Sequence, residues 1–161
     1  MALAFLIGLF ISLIIIFWQD CTFRHIHVIL PVVVFVCAYF LTQYLPQNLK
    51  ITATNILFFA ITLGLLTIYM SVKNKAFLNP FQHYFGLGDL LFYVAISPLF
   101  LLYHYVLFFI SSLLFAIVLQ FILKKWIAKD SVPLAGLSAL FLMLVLTKDI
   151  LFSFHKITLI R

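Results

Sequence analysis

The sequence predicts an all-α, polytopic membrane protein, a bundle of six transmembrane helices forming a single domain over residues 1–161. Three observations carry this expectation. Hydrophobic residues make up 66% of the chain and charged residues 9%, whereas a soluble chain carries about 25% charged residues. The apolar residues lie on every side of their segments instead of in one stripe, as in helices with apolar surroundings all round. The polar stretches between them are only loop-length, so no separate soluble domain is expected.

The first helix is expected over 2–18, closing at Gln19 and Asp20 before a short polar turn to His27. It lacks a basic leading region and a small-residue cleavage site, so it reads as a retained helix and not a signal peptide. The second is expected over 28–45, with Pro31 in its first turn, where a missing N–H is harmless. A turn at Pro46 leads to the third, 51–72, which is uncharged and long enough to span. A polar stretch from Lys73 then leads into Gly86-Leu87-Gly88-Asp89. The fourth helix, 89–102, is short and is expected to kink at Pro98. A reversal near His104 gives the fifth, 105–123, and a basic loop containing Trp126 gives the sixth, 132–147, with a tail from Lys148.

The charge distribution sets an orientation. With six helices, the loops on one side carry Arg24, Lys73, Lys75, Lys124, Lys125 and Lys129. The opposite loops carry Lys50, and the tail carries Lys148, Lys156 and Arg161. The positive-inside rule makes the first set cytoplasmic. The basic residues form no stripe, so the net charge of +6 indicates the lipid bilayer, and not nucleic acid, as partner.

The chain has four acids, all Asp: Asp20, Asp89, Asp130 and Asp149. A carboxylate at the centre of a membrane helix costs about 2.5–3.5 kcal/mol, so such residues sit at an edge or have a function. Asp89 follows Gly86 and Gly88, and the structural alternative for it is a helix cap. Asp20 at the end of the first helix falls on the same, cytoplasmic side. Two carboxylates brought together there can share one proton and activate water, as an aspartic-protease pair does. The glycines then let an extended peptide or a partner helix approach the backbone beside the acid. Asp130 beside Lys129 reads as a solvated loop residue and Asp149 beside Lys148 as a local pair. His25, His27 and His83 read as interfacial residues before metal ligands or proton carriers. Cys21 and Cys37 are too far apart for a metal clamp. No metal and no cofactor is expected.

Gly86-Leu87-Gly88-Asp89 matches the GxGD signature of intramembrane aspartyl proteases. Asp20, Arg24 and Ile26 stand at the offsets of an Asp-(x)3-Arg-x-Ile pattern. In order and spacing the chain resembles the type IV prepilin peptidases and the archaeal preflagellin peptidases. Val132-Pro133-Leu134 and the small residues that follow loosely match the closing run of that family. The resemblance implies a peptidase core in a prokaryotic cytoplasmic membrane, its active site facing the cytoplasm. It would cut short basic leaders from pilin-like or pseudopilin precursors, with Asp20 and Asp89 catalytic and Gly86, Gly88 and Arg24 supporting the motifs. His27 and Val28 depart from the family's Pro and Asn, and Leu91 from its Lys; Leu90 to Tyr93 look more like the presenilin form of the motif. The cysteine-bearing segment of bifunctional relatives is not found, so methylation of the product is not expected. The alternative is a non-catalytic membrane subunit, or an ion or small-molecule carrier using the same aspartates.

Overall fold

A computed structural model describes residues 2–74, 86–123, 133–152 and 156–160. His83, the Lys129–Asp130 pair and the basic loop around Trp126 lie outside the described residues. Among those described, the chain is all helix: α1 (Ala2–Phe23), α2 (Ile29–Thr42), α3 (Asn48–Asn74), α4 (Leu87–Ala95), a 3-10 turn (Ser97–Leu99), α5 (Leu102–Leu123) and α6 (Leu134–Leu151).

The protein is a multi-pass membrane protein. Four of its helices, α1, α3, α5 and α6, are long and apolar enough to cross a bilayer. α2, with 14 residues, and α4, with nine, are shorter than the roughly 20 that a full crossing needs. The outward faces carry large apolar side chains at helical spacing, as at Leu3, Ile7, Ile11, Ile14 and Trp18 of α1. The opposite stripe of α1, Leu9, Leu13, Ile16 and Asp20, is buried against α2 and α6. At 3.6 residues per turn, this spacing turns Asp20 inward together with the apolar core.

Several boundaries differ from the sequence expectation. α1 continues to Phe23, so Asp20 sits inside its last turn and not after it. α3 begins at Asn48, because the turn bonds of Thr42 and Asn48 start the helix early: Thr42 Oγ1 lies 3.3 Å from Asn48 Oδ1, and Asn48 Nδ2 donates to Tyr39 O at 3.3 Å. α2 accordingly stops at Thr42. α6 runs to Leu151, which places Lys148 and Asp149 in the helix and not in a tail. The tail itself folds back. Asp149 Oδ2 accepts from the Ile157 and Thr158 amides at 2.9 and 2.6 Å, and Leu159 N donates to Leu99 O at 2.7 Å.

The largest correction concerns Pro98, which ends a helix where a kink was expected. α4 stops at Ala95, the 3-10 turn carries Pro98, Phe100 is extended, and α5 begins at Leu102. A proline lacks an N–H and crowds the preceding carbonyls, so the break frees backbone acceptors in an apolar setting. Asn55 of α3, fully buried, supplies the missing donors: its Nδ2 donates to Ser97 O at 2.8 Å and to Phe100 O at 2.7 Å. Aromatic rings close round the break, with Phe59, Tyr93 and Phe109 in mutual contact and Phe100 stacked on Phe108.

Replacing Asn55 with Leu leaves both carbonyls buried without donors, at about 1–3 kcal/mol for each unsatisfied group. Thermal or denaturant unfolding in detergent is therefore expected to show Asn55→Leu less stable by about 2 kcal/mol or more. An unchanged midpoint would show that the break does not depend on Asn55.

Candidate active site

Three helix ends meet at one end of the bundle. α1 brings Asp20 on its buried stripe, and α4 brings Asp89 in its first turn. α6 starts at Leu134 after Pro133, and no side chain of its own caps it. A helix start leaves its first N–H groups without partners, and its dipole favours negative charge there. In this protein two other helices satisfy that need. Asp89 Oδ1 accepts from Ala135 N at 2.7 Å, and Asp20 Oδ2 accepts from Gly136 N at 2.7 Å. The two carboxylates thus sit on consecutive amides of one helical turn. That geometry keeps the bonded oxygens within about 8 Å of each other at most.

Glycines make the approach possible. A Cβ added at Gly136 would lie 3.0 Å from Asp20 Cβ, 3.1 Å from Asp20 Oδ2 and 3.3 Å from Phe17 O. Only a residue without a side chain lets α6 come this close to α1. Gly88 has the same role toward the first loop, since its Cβ would lie 3.0 Å from Ile26 Cδ1. What approaches Gly88 is thus the side chain of Ile26. Gly86 caps α4 with extended backbone, and its N–H donates to Asp89 Oδ2 at 3.2 Å. Asp89 is accordingly the third residue of the helix, reaching back to the cap, where the structural alternative had it as the cap itself. Both of its oxygens are occupied. Asp20 is only 7% exposed, and its Oδ1 accepts no hydrogen bond among the described residues.

Arg24 follows α1 in the left-handed region, φ 60°. Its amide donates to Asp20 O at 3.2 Å, closing the last turn of the helix. Its guanidinium lies within electrostatic range of both Asp20 and Asp89. It bonds to neither, and among the described residues Nε, Nη1 and Nη2 are all buried without a hydrogen-bond partner.

The structure therefore brings Asp20, Asp89, Gly86, Gly88 and Arg24 to one place. Asp149 lies at the other end of α6, its Oδ1 3.2 Å from Lys148 Nζ, where it anchors the tail. His25 and His27 are exposed on the loop after α1. No group of three or more His, Cys, Asp or Glu side chains able to hold a metal occurs among the described residues.

The sequence singles out Ala135 and Gly136 only as small residues in a run loosely matching the closing segment of a family, and does not reveal that their amides receive the two carboxylates. Nor does it single out Tyr93, one turn after Asp89 on the same face. The Tyr93 hydroxyl shares 2.9 Å hydrogen bonds with Ser112 of α5 and Ser138 of α6. This buried link fixes α4 to α6 just below the carboxylates. Comparison with protein-family models, curated proteins and solved structures returns no match.

Gly136 and Gly64 form a contrast. A Cβ at Gly64, inside α3, would meet nothing within 4 Å, so Gly64→Ala is expected to be neutral or to stabilise by about 0.5–1 kcal/mol. Gly136→Val is expected to separate α6 from α1 and lower the melting temperature markedly. Equal melting temperatures for the two variants would refute the close-approach reading.

Proposed function

We propose that this protein is a membrane-embedded aspartyl endopeptidase of the GxGD, prepilin-peptidase type, with Asp20 and Asp89 as its catalytic pair. The observation that carries the reading is the convergence of the two carboxylates on the Ala135 and Gly136 amides. Two acids recruited from helices far apart in sequence, beside an unpaired guanidinium, exceed what capping one helix requires.

In the proposed reaction the pair holds one proton between its members, because like charges at short range do not both ionise. The ionised carboxylate takes a proton from water as that water attacks the scissile carbonyl carbon. The protonated one donates to the carbonyl oxygen. Collapse of the tetrahedral intermediate breaks the C–N bond: the leaving amine takes the proton that came from water, and a gem-diol hydroxyl returns its proton to the other carboxylate, restoring the singly protonated pair. The backbone amides at the start of α6 hold the carboxylates in register, so little reorganisation is needed at the reacting centre. The substrates in this reading are the leader junctions of pilin-like or pseudopilin precursors.

The topology belongs to the same proposal. α2 and α4 would be two further, short passes, completing a six-helix bundle in a prokaryotic cytoplasmic membrane with the aspartates at the cytoplasmic face. The basic loop residues support that orientation. In a background without Cys21 and Cys37, a cysteine at His25 should resist an impermeant reagent added outside, and one at Gln47 should react. The reverse pattern would defeat the orientation and, with it, the substrate class.

Cleavage of a co-expressed prepilin-like precursor tests the chemistry. Asp20→Ala and Asp89→Ala should each reduce cleavage by about 10³-fold or more, with the double variant no worse, since paired groups act as one unit. Asp149→Asn, at the opposite end, should still cleave. Substantial activity in Asp20→Ala would end the two-aspartate mechanism.

A further inference from the structure

The Arg24 guanidinium is the one charged group at the site with no bonded partner among the described residues. Guanidinium carries five N–H donors in a fixed planar fork and stays charged at any relevant pH. A buried charge that lacks hydrogen bonds is costly, and native structures seldom leave one so. The chain nevertheless holds this one in place at three points. The Arg24 backbone takes a left-handed conformation, φ 60°, that costs a non-glycine residue about 1–2 kcal/mol. Its amide is tied to Asp20 O, two residues further on Ile26 packs on Gly88, and His27 N donates to Gln19 Oε1 at 3.3 Å. The carboxylates that could have paired with it are turned to the α6 amides instead.

The described residues supply no acceptor, which leaves the guanidinium open to one brought from outside, and charge narrows its class. With one proton on the pair, the two aspartates carry about one negative charge and the guanidinium offsets it. A further anion would enter beside an ionised carboxylate and be repelled, while a neutral oxygen acceptor would not. Building on the peptidase reading above, we infer that Arg24 is a substrate-binding residue: its guanidinium, buried and unpaired beside Asp20 and Asp89, takes a main-chain carbonyl oxygen of the bound peptide and so sets the scissile bond against the two carboxylates. The carbonyl is not the scissile one, whose oxygen belongs to the aspartates. Binding is thus the same in the ground and transition states and appears in KM.

The test uses the full chain in lipid nanodiscs with a synthetic prepilin leader-junction peptide. Arg24→Gln should raise KM about tenfold or more, as loss of a charged hydrogen bond does, and change kcat little when each protein is assayed at its own pH optimum. Arg24→Lys, which keeps the charge and loses the fork, should fall between. Each non-scissile carbonyl of the peptide is then replaced in turn by a thioamide, a weaker acceptor. One position should raise KM for the wild type and have no added effect in Arg24→Gln. If every thioamide acts alike on both proteins, or if Arg24→Gln lowers kcat alone, the assignment falls.

A second measurement separates this claim from the peptidase reading. The chain has two arginines, Arg24 and Arg161, so Arg161→Lys leaves one guanidinium resonance to follow by NMR with the Arg24 side chain intact. A peptide with its scissile bond replaced by hydroxyethylene should shift that resonance. A shift without cleavage of the unmodified peptide would keep the acceptor site and remove the peptidase. Cleavage without a shift would keep the peptidase and remove the acceptor site.

Discussion

Two neighbouring N–H groups at the start of α6 hold the rest of the arrangement together. Each must find an acceptor in an apolar setting, and each takes one carboxylate oxygen from a different helix. The same two bonds therefore satisfy a helix terminus, place two acids and fix the relative positions of α1, α4 and α6. None of these can change alone. Separating α6 from α1 strands a buried amide and a buried carboxylate together, which costs more than either contact is worth when intact. The glycine at position 136 makes the approach sterically possible, and the Tyr93 hydroxyl, bonded to Ser112 and Ser138, ties α4 to α5 and α6 one turn deeper.

Much of this was legible in the sequence. Composition alone gives an all-helical membrane protein, and the glycine-flanked Asp89 and the helix-closing Asp20 stand out because acids are so few. Periodicity would have added that Asp20 shares a stripe with Leu9, Leu13 and Ile16 and so must face inward. Helix ends were less legible. Asp20, Lys50 and Asp149 were read as polar punctuation, yet each sits inside a helix whose end is set by tertiary bonds, as at the Thr42–Asn48 turn and the folded-back tail. Pro98 shows the same limit. A proline in an apolar run reads as a kink when its carbonyls can be re-satisfied locally, and as a break when a distant side chain does so. The distant side chain is Asn55, 42 residues earlier than Ser97, and no local pattern announces that pairing.

Three positions around the carboxylates have readable places in the fold. Val28 precedes the first residue of α2 with helical backbone of its own, φ −53° and ψ −28°. Leu91 lies among partly buried residues of α4. Ile26 fills the space that Gly88 leaves open.

The break at Pro98 has a consequence for the rest of the bundle. A helix that stops at Ala95 and resumes at Leu102 exposes backbone polarity inside the apolar core of the protein. Asn55 donates to the Ser97 and Phe100 carbonyls, and the Phe59–Phe109 and Phe100–Phe108 ring pairs pack beside the break. One amide of α3 thus ties the end of α4, the 3-10 turn and the start of α5 together, so the loss of that side chain would loosen three elements at once.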